Sequence, residues 1–410
     1  MAVGGKNTNL LTTSKITKET LMQFENSLVV SNKIDWKWGK EIGKKVDKIG
    51  DSISVRLPFA NPVRRNSMTY NAATPVDRIV ALTVSESFGS DMSFSEADFT
   101  LSVEMFYNRY IKQAIAYLVA QFDAYVYQTI VDGSANTVGQ YSTDITSDTV
   151  LRAKELLLNM GCPDDGEVYG ILTPALNRKL SNFQASLFNS SKQISKMYET
   201  GYVGEFAGIA WAVSQSAPTH VDGTWTGVAS TTVTLTSGST WAETTTISVA
   251  GFTAGATLNV GDVFTLSGVQ AVNPLTKQAL GFNKQFVVVE AVTATSAATS
   301  VKFAPGLVAA GAYKNVEMAS TASKLISYST SGTTGQEGIM FHKTAVGGAS
   351  PELTIPRGVN EVSAETDPDT NLSIRYISDY DSTNANYINR IDSFAGVKVL
   401  NVDWVCRIRG

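Results

Sequence analysis

Histidine and cysteine are both scarce in this sequence, with two residues of each among 410. Cys162 and Cys406 are too few for a disulfide framework or a zinc site, so we expect both to be buried free thiols. We expect His220 to lie in a loop and His342 in a strand, each with a structural role. Because the usual groups for acid–base and metal chemistry are few, the sequence predicts no enzyme and no catalytic, cofactor-binding or metal site.

Charge is also sparse, since only 17% of the residues are Asp, Glu, Lys or Arg and the formal net charge is −4. A tight nucleic-acid binder would carry a strong basic excess, so the composition argues against that class. The sequence has no leader-like start and no apolar run of about 18 residues, which predicts neither a signal peptide nor a membrane span. Neither a phosphate-binding P-loop nor a Gly-x-Ser-x-Gly nucleophile motif is present.

The most regular pattern in the chain spans residues 102–131, where apolar and aromatic side chains recur at steps of three and four. No glycine or proline interrupts it, and Asp132-Gly133 follows as a stop signal. The pattern predicts one long helix whose apolar stripe is broad enough to need neighbours on more than one side. We therefore expect a central helix around which the rest of the fold is built.

Two segments before this helix have apolar positions but no evident partners. A predicted helix over 17–30 places Leu21, Phe24 and Leu28 on one face, which would clasp the central helix or another copy of the chain. Two alternating stretches near 52–57 and 80–85, joined by a long polar segment, predict an extended hairpin. An isolated ribbon is marginal in water, so it lies either over its own subunit or on a neighbouring one.

After the central helix the pattern is mixed. A helix is predicted over 148–160 with Ser147 as its N-cap, a second from Pro174 to about residue 188 and a third over 190–200, with strands at 168–172 and 206–213. From about residue 222 to 338 the chain becomes rich in Thr, Ser, Ala, Gly and Val, with short alternating runs between turns. This segment predicts a small all-β barrel or sandwich inserted into an α+β domain.

Several of these stretches resemble the major coat proteins of tailed double-stranded-DNA phages. One is Cys162-Pro-Asp-Asp-Gly-Glu-Val-Tyr-Gly-Ile-Leu. The others cover 76–84, 94–101, 109–112, 201–211 and 261–278. The similarity is greatest to coat proteins of short-tailed temperate phages that carry an inserted β-barrel, and it extends in the same order over nearly the whole chain.

The resemblance implies the α+β Hong Kong 97-type capsid fold. Its expected parts are an N-terminal arm (1–33), an E-loop hairpin with its flanks (34–91), a peripheral domain holding the central helix (92–133), the first part of an axial domain (134–221), an inserted β-barrel domain (222–338) and the remaining axial and peripheral segments (339–410). In this architecture the arm and the hairpin lie on neighbouring subunits.

The function implied by the resemblance is that of a major capsid protein, assembled in the host bacterial cytoplasm into an icosahedral virion shell. Its partners would be copies of itself in hexamers and pentamers, a scaffolding protein, a portal protein, a decoration protein and packaged double-stranded DNA held without sequence specificity. Alternatives are an encapsulin-like compartment shell and a β-module binding protein. The expected contacts between subunits are Leu21, Phe24, Leu28, Trp36, Trp38, Ile53, Val55, Leu57, Arg64, Arg65 and Arg78.

Overall fold

The computed structural model describes the chain in thirteen stretches: residues 13–39, 52–58, 78–95, 110–141, 143–185, 204–225, 228–232, 244–295, 298–318, 322–328, 331–356, 361–368 and 370–410. The chain divides into two compact units. Unit 1 comprises Met1–Ser54, Ala81–Tyr125 and Gly347–Val397. Unit 2 comprises Val55–Val80, Val126–Val346 and Lys398–Gly410.

The α-helices of the described ranges are α1 (Thr13–Ser27), α2 (Lys112–Gly133), α3 (Ser147–Asn159) and α4 (Pro174–Ala185). Helix α2 confirms the later part of the predicted central helix, whereas residues 101–109 lie outside the described ranges. Helix α3 is capped one residue earlier than predicted, because the Thr146 hydroxyl accepts from the Thr149 amide. None of the described helices has the length and apolar character of a membrane span.

The strands that precede the Thr- and Ser-rich segment are short, apart from β3. They are β1 (Ser52–Arg56), β2 (Ile79–Thr83), β3 (Glu86–Ser95), β4 (Asn136–Val138), β5 (Val168–Leu172), β6 (Glu205–Phe206), β7 (Ile209–Val213) and β8 (Thr219–Val221). Strand β5 has the predicted bounds. The single strand predicted over 206–213 is instead a hairpin, because Ala207 and Gly208 both have positive φ and form a tight turn between β6 and β7.

The following segment contains strands and no helix among its described residues, as its composition predicts. They are β9 (Val228–Thr232), β10 (Thr244–Ala250), β11 (Thr257–Leu258), β12 (Val263–Val272), β13 (Ala279–Val288), β14 (Val292–Thr293), β15 (Thr299–Leu307), β16 (Val316–Met318), β17 (Ala322–Ser327) and β18 (Thr334–Gln336).

The last part of the chain adds strands to both units. They are β19 (Gly338–His342), β20 (Val346–Ala349), β21 (Glu361–Thr366), β22 (Ser373–Asp381), β23 (Asn386–Val399) and β24 (Val405–Ile408).

Unit 1 is built on a sheet in the order β20-β23-β22-β21, with β3 also paired to β23. Strands β3 and β23 run antiparallel over ten residue pairs, from Asn386 opposite Ser95 to Ala395 opposite Glu86. Helix α1 packs against β21 and β22. The long antiparallel pairing of β3 with β23 gives this unit its most extended ladder.

Unit 2 contains a six-stranded sheet in the order β4-β24-β19-β5-β7-β6. Helices α3 and α4 contribute Val150, Leu157 and Leu176 to a core that also includes Trp211 and Met340 from the sheet. Burying these apolar side chains removes their surface from water, which is the main stabilising contribution of this layer.

Strands β8 and β18 pair antiparallel, with Val221 opposite Thr334 and Thr219 opposite Gln336. The Thr- and Ser-rich segment thus begins and ends at neighbouring positions within unit 2. Within the segment, pairing runs β13-β15-β10-β9-β17-β12 and β12 pairs again with β13, which closes a ring of six strands to which β16 is attached. The rings of Phe264, Phe286 and Phe303 lie 5.2–5.8 Å apart in its interior.

Candidate functional site

The apolar face predicted for the first helix is present in α1, and unit 1 already supplies its partner. Leu21, Phe24 and Leu28 are buried. The Phe24 ring lies 5.2 Å from that of Phe122 on α2, in an edge-to-face arrangement. This contact confirms the first of the two predicted alternatives, in which the helix clasps the central helix. A contact of these three residues with a neighbouring subunit stays a prediction.

The segment after α1 is held by the Asp123 carboxylate, which the sequence did not single out. This carboxylate accepts hydrogen bonds from the amides of Val29, Val30 and Ser31 at 2.8, 3.3 and 3.0 Å. It also accepts from the Ser31 hydroxyl at 2.5 Å. Four donors to one buried carboxylate fix the path of the chain between α1 and the following 3₁₀ turn, because hydrogen bonds to a charged acceptor are among the stronger ones.

The two tryptophans predicted at a subunit contact differ in their environments. Trp36 is buried, its indole N–H donates to the Ser31 carbonyl at 2.6 Å, and its ring lies 5.7 Å from Phe122. A Cβ at Gly348 would come within 2.5 Å of the Trp36 ring, so only glycine fits beneath it. Trp38 is only half-buried. Of the two, Trp38 keeps more surface for a contact with another subunit.

The two strands predicted for the hairpin are present as β1 and β2, which pair in a two-stranded sheet. Val55 is buried, whereas Ile53 and Leu57 are half-buried. Ile79, at the start of β2, is a large apolar side chain with 56% of its surface exposed. We call β1 and β2 together the ribbon.

The arginines predicted at subunit contacts fall in two groups. Arg64 and Arg65 lie outside the described residues. The Arg78 carbonyl accepts from the Leu57 amide at 2.9 Å, and its guanidinium lies over the Tyr313 ring at 5.5 Å. Arg78 thus has an intramolecular cation–π partner, and its contact with a neighbouring subunit stays a prediction.

A group of buried charges lies where the Thr- and Ser-rich segment joins the rest of unit 2. Glu337 accepts from Arg407 Nη1 at 3.2 Å and from Arg409 Nε at 2.6 Å, and all three side chains are fully buried. Arg409 also donates to Asp222 at 3.2 Å, and Arg407 donates to the Gly261 carbonyl at 2.6 Å. We call Asp222, Glu337, Arg407 and Arg409, together with the adjoining His220 and Asp262, the charged junction.

Tyrosine hydroxyls complete the surroundings of Glu337. Tyr141 donates to the Glu337 carboxylate and Tyr127 to the Glu337 carbonyl, both at 2.6 Å. The Arg409 guanidinium also lies 4.5 Å from the centre of the Tyr141 ring. Burial by itself raises the pKa of Glu337, but Arg407 and Arg409 outweigh burial and lower this pKa below its ordinary value. The junction thus holds an ionised carboxylate away from water.

His220 lies in β8, with its Nε2 atom 3.4 Å from Asp222 Oδ1 and 3.4 Å from Asp262 Oδ1. Burial lowers the pKa of His220, but the two carboxylates outweigh burial and raise it to about 9. Asp262 is itself oriented by the backbone amides of Gly223 and Asn259, which donate to Oδ2 at 3.0 and 2.9 Å. The sequence predicted a loop position for this histidine, and the strand assignment corrects it.

Comparison with known protein families identifies the family of this chain. The sequence model of the family described as "P22 coat protein - gene protein 5" matches residues 5–405. This chain belongs to that coat-protein family. It is a major capsid protein that assembles with copies of itself into the phage head shell, and it is a structural component of the virion and not an enzyme.

Solved structures are similar to this coat protein over most of its length. The structure titled "Mycobacterium phage Che8" shares 11% identity at a TM-score of 0.47, covering 93% of this chain and 90% of that chain. "Capsid of Ralstonia phage GP4" shares 6% identity at a TM-score of 0.44, covering 88% and 83%. "Crystal structure of virus-like particle from Pyrococcus furiosus" shares 8% at 0.40, covering 96% and 98%. No curated protein matches the chain.

The mixed α+β architecture of the coat protein is the Hong Kong 97-like capsid fold. Side chains from β13 attach the ring of strands to the six-stranded sheet within unit 2. The buried Lys284 ammonium lies 2.8 Å from Asp403, and the Gln285 amide exchanges two hydrogen bonds with the Thr137 backbone at 2.7 and 3.0 Å. These contacts and the charged junction hold the two sheets together through polar groups.

The second histidine, His342, has ordinary hydrogen-bond partners at the end of β19. Its Nε2 lies 3.1 Å from both carboxylate oxygens of Asp165, and its Nδ1 lies 2.9 Å from the Thr344 hydroxyl. This arrangement confirms the predicted strand position. The hydrogen bonds that the Asp165 carboxylate accepts from the Glu167 amide and from His342 lower the pKa of Asp165.

Sequence reasoning missed the charged junction. Residues 404–409 form a mostly apolar strand pattern, in which Arg407 and Arg409 are the only charged residues. A signal was available, because two arginines alternating with apolar residues in a strand point to one face and require a buried counter-charge. Nothing in the sequence indicates that Glu337 and Asp222 supply it, since they lie 70 and 187 positions away in the chain.

Proposed function

We propose that this coat protein forms the hexamers and pentamers of an icosahedral shell, first as a procapsid and then as a mature head around double-stranded DNA. A scaffolding protein directs this assembly, which begins at a portal, and a decoration protein is a further partner of the shell. Each contact between subunits stabilises the shell only modestly. The closed symmetry repeats these contacts over the whole shell, so that together they hold it.

The ribbon is the observation that carries this proposal. Strands β1 and β2 pair only with each other among the described strands, and Ile79 exposes 56% of its surface there. A two-stranded sheet by itself is marginal in water and leaves unpaired edges. A neighbouring subunit that covers Ile79, Ile53 and Leu57 removes apolar surface from water and supports the ribbon.

The arm contributes less to contacts between subunits than its sequence suggested. Leu21, Phe24 and Leu28 are buried within the chain, whereas Met22 on the opposite face of α1 exposes 59% of its surface. For α1 to contact a neighbour without leaving unit 1, the exposed face has to be used. We therefore place the arm's contact at Met22 and keep the ribbon as the principal contact.

The segment 222–338 forms an inserted β-barrel domain in this proposal. Two observations support it: the closed ring of six strands, and the pairing of β8 with β18, which brings the two ends of the segment together. A segment whose ends are adjacent can be inserted into a fold without disturbing its neighbours. The net charge of −4 also suits a shell that encloses DNA without gripping it, because many phosphate contacts would hinder packaging and release.

The test is an Ile79→Asp variant compared with Ile79→Val in the same assembly reaction with scaffolding protein. We expect both monomers to keep the wild-type circular dichroism and melting temperature, because the side chain is exposed. We expect Ile79→Val to form closed shells by sedimentation and electron microscopy, and Ile79→Asp to remain largely unassembled. Normal shells from the Asp variant would contradict the role of the ribbon, and its unfolding would show that Ile79 packs within its own subunit.

A further inference from the structure

The charged junction contains more negative than positive charge. Three carboxylates meet there, those of Asp222, Asp262 and Glu337, against the two guanidiniums of Arg407 and Arg409. Uncompensated charge is costly in a buried site, so either a protonated His220 or a bound cation has to balance the remaining negative charge.

The His220 imidazole is aimed into this excess of carboxylate. The side chain is 5% exposed, and its Nε2 atom has no hydrogen-bond partner among the residues that the structure describes. Nε2 lies 3.4 Å from both Asp222 Oδ1 and Asp262 Oδ1. A charge-assisted N–H···O bond would be about 2.7–2.9 Å long, so these two separations are too long for it.

The same separations fit a shared metal ion. Zinc bonds to imidazole nitrogen and carboxylate oxygen are about 2.0–2.2 Å long, and two ligands of a tetrahedral site are then about 3.4 Å apart. The candidate ligand atoms of His220, Asp222 and Asp262 all lie within 4.8 Å of one another. We propose that His220 Nε2, Asp222 Oδ1 and Asp262 Oδ1 bind one divalent transition-metal ion of the Zn²⁺ class, with water as the fourth ligand.

The surrounding residues suit this assignment. The backbone amides of Gly223 and Asn259 hold Asp262 in place, so one ligand is preorganised. The carboxylates of the junction would also attract a divalent ion. Arg409, which donates to Asp222, opposes the ion and limits its affinity.

The ion would fasten the first end of the β-barrel segment to the start of one strand of its ring. His220 and Asp222 flank the point where the chain enters the segment, and Asp262 directly precedes β12 in the ring. Because an imidazole nitrogen is among the ligands, Zn²⁺ or Co²⁺ should bind, whereas Mg²⁺ and Ca²⁺, which prefer all-oxygen sites, should not.

The first test measures metal content in untagged coat protein purified without chelator, equilibrated with ZnCl₂ and freed of excess metal by gel filtration. We expect one zinc ion per chain by mass spectrometry, and a rise in melting temperature with Zn²⁺ that Mg²⁺ does not give. Co²⁺ in place of Zn²⁺ should produce the visible absorption of a tetrahedral site. Absence of stoichiometric zinc would overturn the proposal and leave a protonated His220 as the compensating charge.

The chain has two histidines, which provides a matched control. His220→Gln should lose stoichiometric zinc, whereas His342→Gln should keep it. Should His220→Gln fail to fold, histidine-labelled wild-type protein still decides, because Zn²⁺ should shift the Nε2 resonance of one histidine and leave the other unchanged. A shift at His342, or at neither, would overturn the assignment.

Discussion

Glu337 and Arg409 form a fully buried ion pair, with Arg409 Nε 2.6 Å from Glu337 Oε1. Arg407 donates to the other oxygen of the same carboxylate at 3.2 Å. One carboxylate therefore accepts hydrogen bonds from two guanidiniums inside the coat protein. Removing one member of such a group leaves a buried charge without a partner, which is more costly than the pair is stabilising.

We predict that Glu337→Gln destabilises the monomer by about 3–5 kcal/mol, because both arginines lose their main counter-charge. Urea unfolding followed by circular dichroism measures this loss. The control is Glu290→Gln, which breaks an ion pair with Lys302 in which both side chains are 59% exposed. Pairs of that kind contribute about 0–1 kcal/mol. Equal effects of the two substitutions would contradict the role given to burial.

The stabilisation from Glu337 should depend on pH. Arg407 and Arg409 lower its pKa below the ordinary value despite burial, so its contribution is present above the unfolded-state pKa of about 4.3 and is lost as pH falls further. The difference in unfolding free energy between wild type and Glu337→Gln should therefore be constant near neutral pH and shrink in acid, where the glutamate is protonated. A difference that stays constant down to pH of about 3 would contradict this assignment.

A second prediction concerns Asp123, whose carboxylate receives four hydrogen bonds from Val29, Val30 and Ser31. Asp123→Asn replaces one acceptor oxygen by an amide group that itself donates, so buried donors lose their partner. We expect a loss of about 2–3 kcal/mol and faster hydrogen exchange at the amides of residues 29–31. Asp148→Asn, at a mostly exposed pair with Arg152, is the control. Unchanged exchange in the Asp123 variant would show that this carboxylate does not hold the segment.

Both thiols should be inert in the folded coat protein. Burial is the main cause that raises the pKa of Cys162 and of Cys406 to about 12, so neither forms thiolate near neutral pH. Ellman's reagent at pH 8 should react with neither cysteine in native protein and with both after unfolding. Because folding raises both thiol pKa values, the two buried thiols contribute fully to the free energy of unfolding below the ordinary thiol pKa. This contribution declines as pH rises above that value. Rapid reaction of native protein would contradict this picture.

The sequence predicted those parts of the fold that depend on local pattern. Strand β5 is an apolar run between turn residues, and α4 begins where Thr173 caps it, with the Leu176 amide donating to the Thr173 hydroxyl at 3.2 Å. The hairpin of β6 and β7 was missed, because Ala207 adopts a positive φ that its residue type does not announce. Backbone conformation at such a turn is imposed by the surrounding strands.

The charged junction could not be predicted, and the packing of α1 could be predicted only as one of two alternatives, because the partners are distant in the chain. The apolar face of α1 was evident, but its packing against Phe122 depends on the tertiary fold. Likewise, Asp123 reads as one polar residue in a long helix, and only the fold places the amides of Val29–Ser31 around it. Sequence periodicity shows which face of a helix or strand is apolar, whereas tertiary packing determines which residues cover that face.

The measurement that tests the account most directly is a cryo-electron microscopy map of assembled shells in which the ribbon can be traced. The account predicts that Ile79, Ile53 and Leu57 contact a neighbouring copy, and that their exposed surface in the single chain is covered there. A map in which the ribbon packs only against its own subunit, with Ile79 still facing solvent, would contradict it.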